Sequence, residues 1–193
     1  MTATDPRRVV ETVWRLESAR IIAGLARIVH DVGLAEELAQ DTFVIALEQW
    51  PVAGIPDHPG SWLMATAKHR AIDRLRRETR YREKLQEIGR ATPYAEEPDV
   101  AAELDDYIGD DLLRLIFTTC HPVLSTEARV GLTLRLLGGL TTDEIARAYL
   151  VLESTVGQRI TRAKRTLTDN KIAIELPPPG EVAERLASVL EVI

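Results

Sequence analysis

Residues 140–167 read LTTDEIARAYLVLESTVGQRITRAKRTL. Thr141, with Glu144 three residues on, has the form of a capping box, in which each residue's side chain caps the other's backbone N–H at a helix start. Ile145, Ala146 and Tyr149 then belong to one short helix, Leu150 to Glu153 to a turn, and Ser154 or Thr155 to the start of a second helix. The apolar positions of that second helix, Val156, Ile160, Ala163 and Leu167, recur at spacings of three and four and predict one buried stripe. This is helix-turn-helix spacing. Thr155, Gln158, Arg159, Thr161, Arg162 and Arg165 fall outside the stripe or on its flanks, and such side chains donate hydrogen bonds to phosphates and base edges in a major groove. An ordinary helical hairpin shares the pattern and stays open as a reading at this point.

Upstream, Gly138-Gly139 supplies the permissive dihedrals that end a preceding helix, which runs from about Thr126 to Leu137. Before the break at Pro122, Leu112, Leu113, Leu115, Ile116 and Phe117 mark another helix. Nearer the start, Ala39, Phe43, Ala46, Leu47 and Trp50 form the stripe of a helix predicted to end at Pro51. Met64, Ala67, Ala71, Ile72 and Leu75 form a second stripe, and Val13, Leu16, Leu25 and Ile28 are candidate core positions within residues 10–29. Three prolines and two glycines between Pro51 and the Asp57-His58-Pro59-Gly60 run predict a stiff loop. Strand patterns are nearly absent. The predicted class is all-α, with two small helical domains joined by an acidic linker.

The net charge is -6, which taken alone argues against a nucleic-acid partner. Its distribution argues otherwise. Residues 68–84 hold eight Lys or Arg against three acids, residues 91–111 hold eight acids and no Lys or Arg, and residues 155–171 hold five basic residues against Asp169 alone. Pro93, Pro98 and the scarcity of large apolar residues place the linker in the acidic block. Tethered between two basic modules, such a block can compete with phosphate and restrain DNA binding by the free protein.

No apolar run approaches the roughly 18 residues that cross a bilayer, so a cytoplasmic protein without a membrane role is expected. One cysteine, Cys120, excludes an internal disulfide or a cysteine-cluster zinc site, and no clustered carboxylate, metal or nucleophile pattern points to catalysis. His30, His69 and the Cys120-His121 pair are read as incidental. No cofactor and no metal are implied.

The segments LTTDEIA at 140–146 and TVGQRITRAK at 155–164 resemble the promoter-reading end of extracytoplasmic-function sigma factors of the sigma-70 family. AEELAQDTF at 35–43 resembles that family's polymerase-docking helix, and the stretch from Ser61-Trp-Leu to Ala71-Ile-Asp-Arg-Leu-Arg-Arg77 resembles its helix for the upstream edge of the melted promoter. These motifs cover about residues 10 to 168 in the family's order. The resemblance implies region 2 at 9–84, an acidic linker at 85–109, region 4 at 110–170 and the start of a C-terminal extension at 171–193. It implies that Glu37, Gln40 and Asp41 face the clamp helices of the polymerase largest subunit, with the flap as a further contact. At i, i+3 and i+4 they offer acceptors on one helix face to a basic partner.

The same resemblance places Asp57 and His58 where the family captures an unstacked base near minus 10. Lys68, Arg70, Arg74 and Arg77 would track the same element, with Asp73 accepting from a base or orienting Arg70 or Arg77; Trp62 is read as core. At minus 35, Thr155, Gln158, Thr161 and Arg162 fall on base-reading positions and Arg159 and Lys164 on phosphate-anchoring ones. The sequence departs from the family at Gly157, where a basic side chain is common, and at Leu150, where the turn usually has glycine. Both departures weaken any transfer of sequence preference.

After Pro177-Pro-Pro-Gly180, an apolar stripe of Val182, Leu186, Val189, Leu190 and Ile193 resembles the junction, in one subgroup, to an extension similar to tetratricopeptide repeats, so the native chain is expected to continue beyond Ile193. Implied partners are core polymerase, promoter DNA, and an anti-sigma factor or the chain's own extension as regulator. The competing reading is a stand-alone helix-turn-helix regulator that binds operators as a dimer, which would need neither a docking-type helix nor the first basic helix.

Overall fold

The computed structural model describes residues 5–88 and 108–193, and within them every regular element is a helix. These are α1 (Pro6–Val29), α2 (Val32–Ala53), α3 (Pro59–Ile88), α4 (Ile108–Thr119), α5 (Thr126–Leu136), α6 (Thr142–Tyr149), α7 (Glu153–Asp169) and α8 (Val182–Leu190). The acidic block proposed as a brake falls almost wholly outside the described residues. Asp110 and Asp111 are the exceptions, in the first turn of α4, where carboxylates favour the positive end of the helix.

Helices α1 to α3 pack on one another. His30 closes α1 in the left-handed region, and Asp31 at once caps α2 by accepting the Leu34 N–H at 2.8 Å, so two residues turn the chain. Ile21, Ile22, Leu25 and Ala26 of α1 meet Ala35, Ala39, Phe43 and Ala46 of α2 and Leu63, Ala67 and Ala71 of α3 in one core. Trp14 sits edge-on to Phe43 with centroids 4.4 Å apart, and Trp50 edge-on to Trp62 at 5.7 Å, so Trp62 packs inward as expected.

Some sequence expectations fail. Leu16 is 70% exposed and Leu47 42% exposed, because each lies at the margin of its stripe where no third helix covers it. Helix α2 runs through Pro51 to Ala53. The missing N–H at Pro51 costs little there, since its would-be acceptor is the Leu47 carbonyl on the exposed side of the last turn. Pro59 likewise opens α3, where a free N–H is not needed, so the loop shrinks to residues 54–58.

In the second half, α5, α6 and α7 pack through Leu132, Leu136, Ile145, Val156, Ile160, Ala163 and Leu167. Of the terminal stripe only Val189 is buried, against Phe117 and Cys120. Arg129 fastens α8 with an ion pair to Glu191 at 3.0 Å, and Arg185 donates to the Phe117 carbonyl at 2.8 Å.

The two halves do not stay apart. Their buried side chains form one continuous cluster: α4 lies on α1, with Leu115 fully buried, and α7 lies on the first turns of α2.

Candidate nucleic-acid interface

The helix-turn-helix is held by local chemistry. Thr141 Oγ1 accepts the Glu144 N–H at 3.1 Å, and Glu144 Oε2 accepts the Thr141 N–H at 2.8 Å, which completes the capping box and holds the Glu144 carboxyl below its ordinary pKa. Thr142 Oγ1 then donates to Glu153 at 2.8 Å, tying the first turn of α6 to that of α7. Leu150, at φ 54, takes the left-handed conformation that glycine favours, while the Val151 N–H reaches the Ala146 carbonyl at 3.0 Å. Leu150 is 93% exposed, so it packs against nothing that would offset its strain.

On α7, Thr155, Gln158, Thr161, Arg162 and Arg165 are exposed, whereas Arg159 is half-buried. Gln158, Arg159 and Arg162 edge a groove of about 380 Å³ with Ala128 of α5 and its N-cap Ser125. The groove is rich in donors and suits a phosphate backbone. Gly157 leaves open space: a Cβ there would meet nothing within 4 Å.

The first basic helix presents a second surface. Asp73, Arg74 and Arg77 are exposed on α3, Lys68 and Arg70 half-buried, and Asp57 and His58 stand exposed on the loop before it. Arg70 is oriented by the Asp41 carboxylate of α2 at 2.7 Å, not by Asp73. Arg77 takes the backbone carbonyl of Asp73 at 3.1 Å rather than its carboxylate. Glu78, by a hydrogen bond and then by charge, and further off Glu37 hold the Arg74 guanidinium pKa above its ordinary value. Thus Asp41 touches the basic face of α3 and Glu37 lies near it, while Gln40 turns its amide to Glu36.

One carboxylate escaped the sequence reading. Glu36 is buried and accepts from Arg135 Nε of α5 at 2.7 Å, from Gln40 Nε2 at 2.8 Å, and from Lys164 of α7. The signal was present: Glu36 falls on the stripe of Val32, Ala39 and Phe43, with no cation three or four residues away to pair with. Lys164, expected on phosphate, is therefore turned toward α2. Near it Thr168 Oγ1 donates to Asp31 at 2.7 Å. On the far side Arg27 of α1 pairs with the buried Asp111 of α4 at 3.1 Å.

Cys120 is buried beside Thr133. His121 accepts the Val123 N–H on Nδ1 at 3.1 Å. Burial, and then the charge of Arg185, pull the His121 pKa down to about 4. No helix among the described residues is long and apolar enough to cross a membrane.

Comparison with known proteins gives two family matches, sigma-70 region 2 over residues 15–81 and sigma-70 region 4 over residues 114–167. The chain is 36% identical over 191 residues to an uncharacterised protein of Rhizobium meliloti (strain 1021), covering 96% of this chain and 45% of that one. It is 29% identical over 183 residues to the "Probable ECF RNA polymerase sigma factor SigI" of Mycobacterium tuberculosis, covering 92% and 60%. It is 30% identical over 155 residues to the ECF RNA polymerase sigma factor SigK of Mycobacterium ulcerans (strain Agy99), covering 77% and 78%. The chain spans about half the length of the first two of these relatives.

Proposed function

Because the chain belongs to the extracytoplasmic-function sigma factors of the sigma-70 family, we propose that it is a dissociable subunit, without catalysis of its own, that binds core RNA polymerase and directs promoter-specific initiation. The observation that carries this reading is the coexistence on one chain of a donor row on α7 and an acceptor-bearing face on α2, whose Glu37 and Asp41 stand beside the basic face of α3. A dimeric operator binder has no use for the second arrangement.

Each surface has a role suited to its chemistry. The carboxylates of Glu37 and Asp41 and the amide of Gln40 accept from a basic partner, which we assign to the clamp helices of the polymerase largest subunit; region 4 meets the flap. Helix α7 lies in the major groove at minus 35, where Thr155, Gln158, Thr161 and Arg162 reach base edges and Arg159 and Lys164 hold phosphates. Lys68, Arg70, Arg74 and Arg77 follow the minus-10 element, with Asp73 beside them. Asp57 and His58 stand on a five-residue loop framed by helix ends, which lowers the ordering cost when an unstacked base is captured. Since Asp41 holds Arg70, docking and minus-10 recognition share one ion pair. The reading places the protein in the cytoplasm with the chromosome.

Run-off transcription with core polymerase tests this. Promoter-specific transcripts are expected with the protein and not without it, and reversing Glu37 and Asp41 to Lys should weaken core binding. A protein that neither binds core nor alters initiation refutes the reading.

A further inference from the structure

Part of the surface assigned to DNA faces part of the surface assigned to polymerase. Gly157, Thr161 and Lys164 on α7 and Glu37 and Gln40 on α2 line opposite walls of one cavity of about 360 Å³. At its edge the Glu36 carboxylate, 3% exposed, takes one cation from each of two helices of the second half, Arg135 and Lys164. Gly33 lies beside this contact. A Cβ there would come within 3.6 Å of Lys164 Cδ, so the lysine stem crosses the first turn of α2 close to its backbone. Thr168 on Asp31 extends the contact by one helix turn.

We propose that Glu36, with Arg135 and Lys164, is a latch that holds the DNA-reading helix against the polymerase-docking helix, so that the closed protein withholds Lys164 from phosphate and sets α7 in the way of a large partner at Glu37 and Gln40. This rests on the functional reading above, and it adds the state that must be left before either partner binds. The physical basis is the character of the contact. A buried carboxylate between two cations has a large desolvation cost set against its attraction, so its net contribution to the closed state is small, but removing one partner leaves a buried charge unpaired. Such a catch favours one arrangement without making it permanent. Core polymerase that binds Glu37 and Gln40 must displace α7, and α7 freed from Glu36 regains Lys164 for a phosphate. The remainder of the closure, α4 on α1 with Asp111 on Arg27, is apolar at its centre.

The test compares the unaltered chain with Glu36→Gln. Acetylation by acetic anhydride, read by mass spectrometry, should be slow at Lys164 relative to the exposed Lys171 in the unaltered chain, and equal at both in the variant. Binding to core polymerase and to a short nonspecific duplex at low salt should each tighten about tenfold, the gain expected if the competent state rises from roughly a tenth of the population to most of it. Small-angle scattering should show a radius of gyration above the about 16 Å expected of a compact chain of this length. Unchanged Lys164 reactivity overturns the latch. Raised reactivity with unchanged affinities overturns the occlusion. Should Glu36→Gln lose helical circular dichroism, Glu36→Asp, which keeps the charge but shortens its reach toward Arg135 and Lys164, carries the same comparison. If neither protein binds core or DNA, the functional reading falls while the acetylation ratio still decides the latch.

Discussion

Replacing Gly157 by Ala tests the account of α7 most sharply. Gly157 lies in the interior of α7, outside the positive-φ region, and an added Cβ meets nothing within 4 Å. No steric term therefore opposes the substitution, and what remains is the backbone entropy that alanine does not lose, worth about 0.5 to 1 kcal/mol in a helix interior. In a chain of this size that raises the melting temperature by about 1 to 4 °C. Thermal unfolding by circular dichroism reads it. Since nothing in the fold requires glycine, the requirement is assigned to DNA: the same variant should bind duplex DNA several-fold more weakly by fluorescence anisotropy, a loss opposite in sign to the gain in stability. A lower melting temperature would refute the packing argument, and undiminished DNA affinity would refute the idea that the backbone approaches DNA closely at this residue.

Leu150→Gly relieves a left-handed leucine that is almost wholly exposed; the relief exceeds glycine's entropy cost by about 0.5 kcal/mol, so urea unfolding should move to a higher midpoint. His121 makes stability fall on acidification. Its native ring stays neutral until about pH 4 while the unfolded chain takes up a proton near the ordinary 6.5, so stability is complete above that value and declines through the window between. The ring is only partly buried, and after allowance for solvent screening the loss should be about 1 kcal/mol; His121→Gln should flatten the urea-midpoint profile there, and an unchanged profile would refute this. Neutralising the acids between Glu96 and Asp106 should raise the free protein's affinity for duplex DNA at low salt, and titrations that coincide with the parent chain would exclude the linker as a brake.

Much of this molecule is local in origin, and for that reason its sequence was decisive. The box at Thr141 and Glu144, the stripe at Val156, Ile160, Ala163 and Leu167, and the basic face of α3 follow from periodicities and caps that act over one or two turns. The same information overreached at Leu16, Leu47 and Pro51: a stripe gives the direction of a face but not how far a neighbouring helix covers it, and a proline's cost depends on how close it lies to the helix end. Tertiary structure alone decided that the two halves close on each other, that Asp41 rather than Asp73 orients Arg70, and that Lys164 points to Glu36. Ion pairs between residues 29 or 128 positions apart have no periodic signature. An unpaired carboxylate on an apolar stripe shows that a distant cation is needed, and only the packing of α5 and α7 on α2 says which.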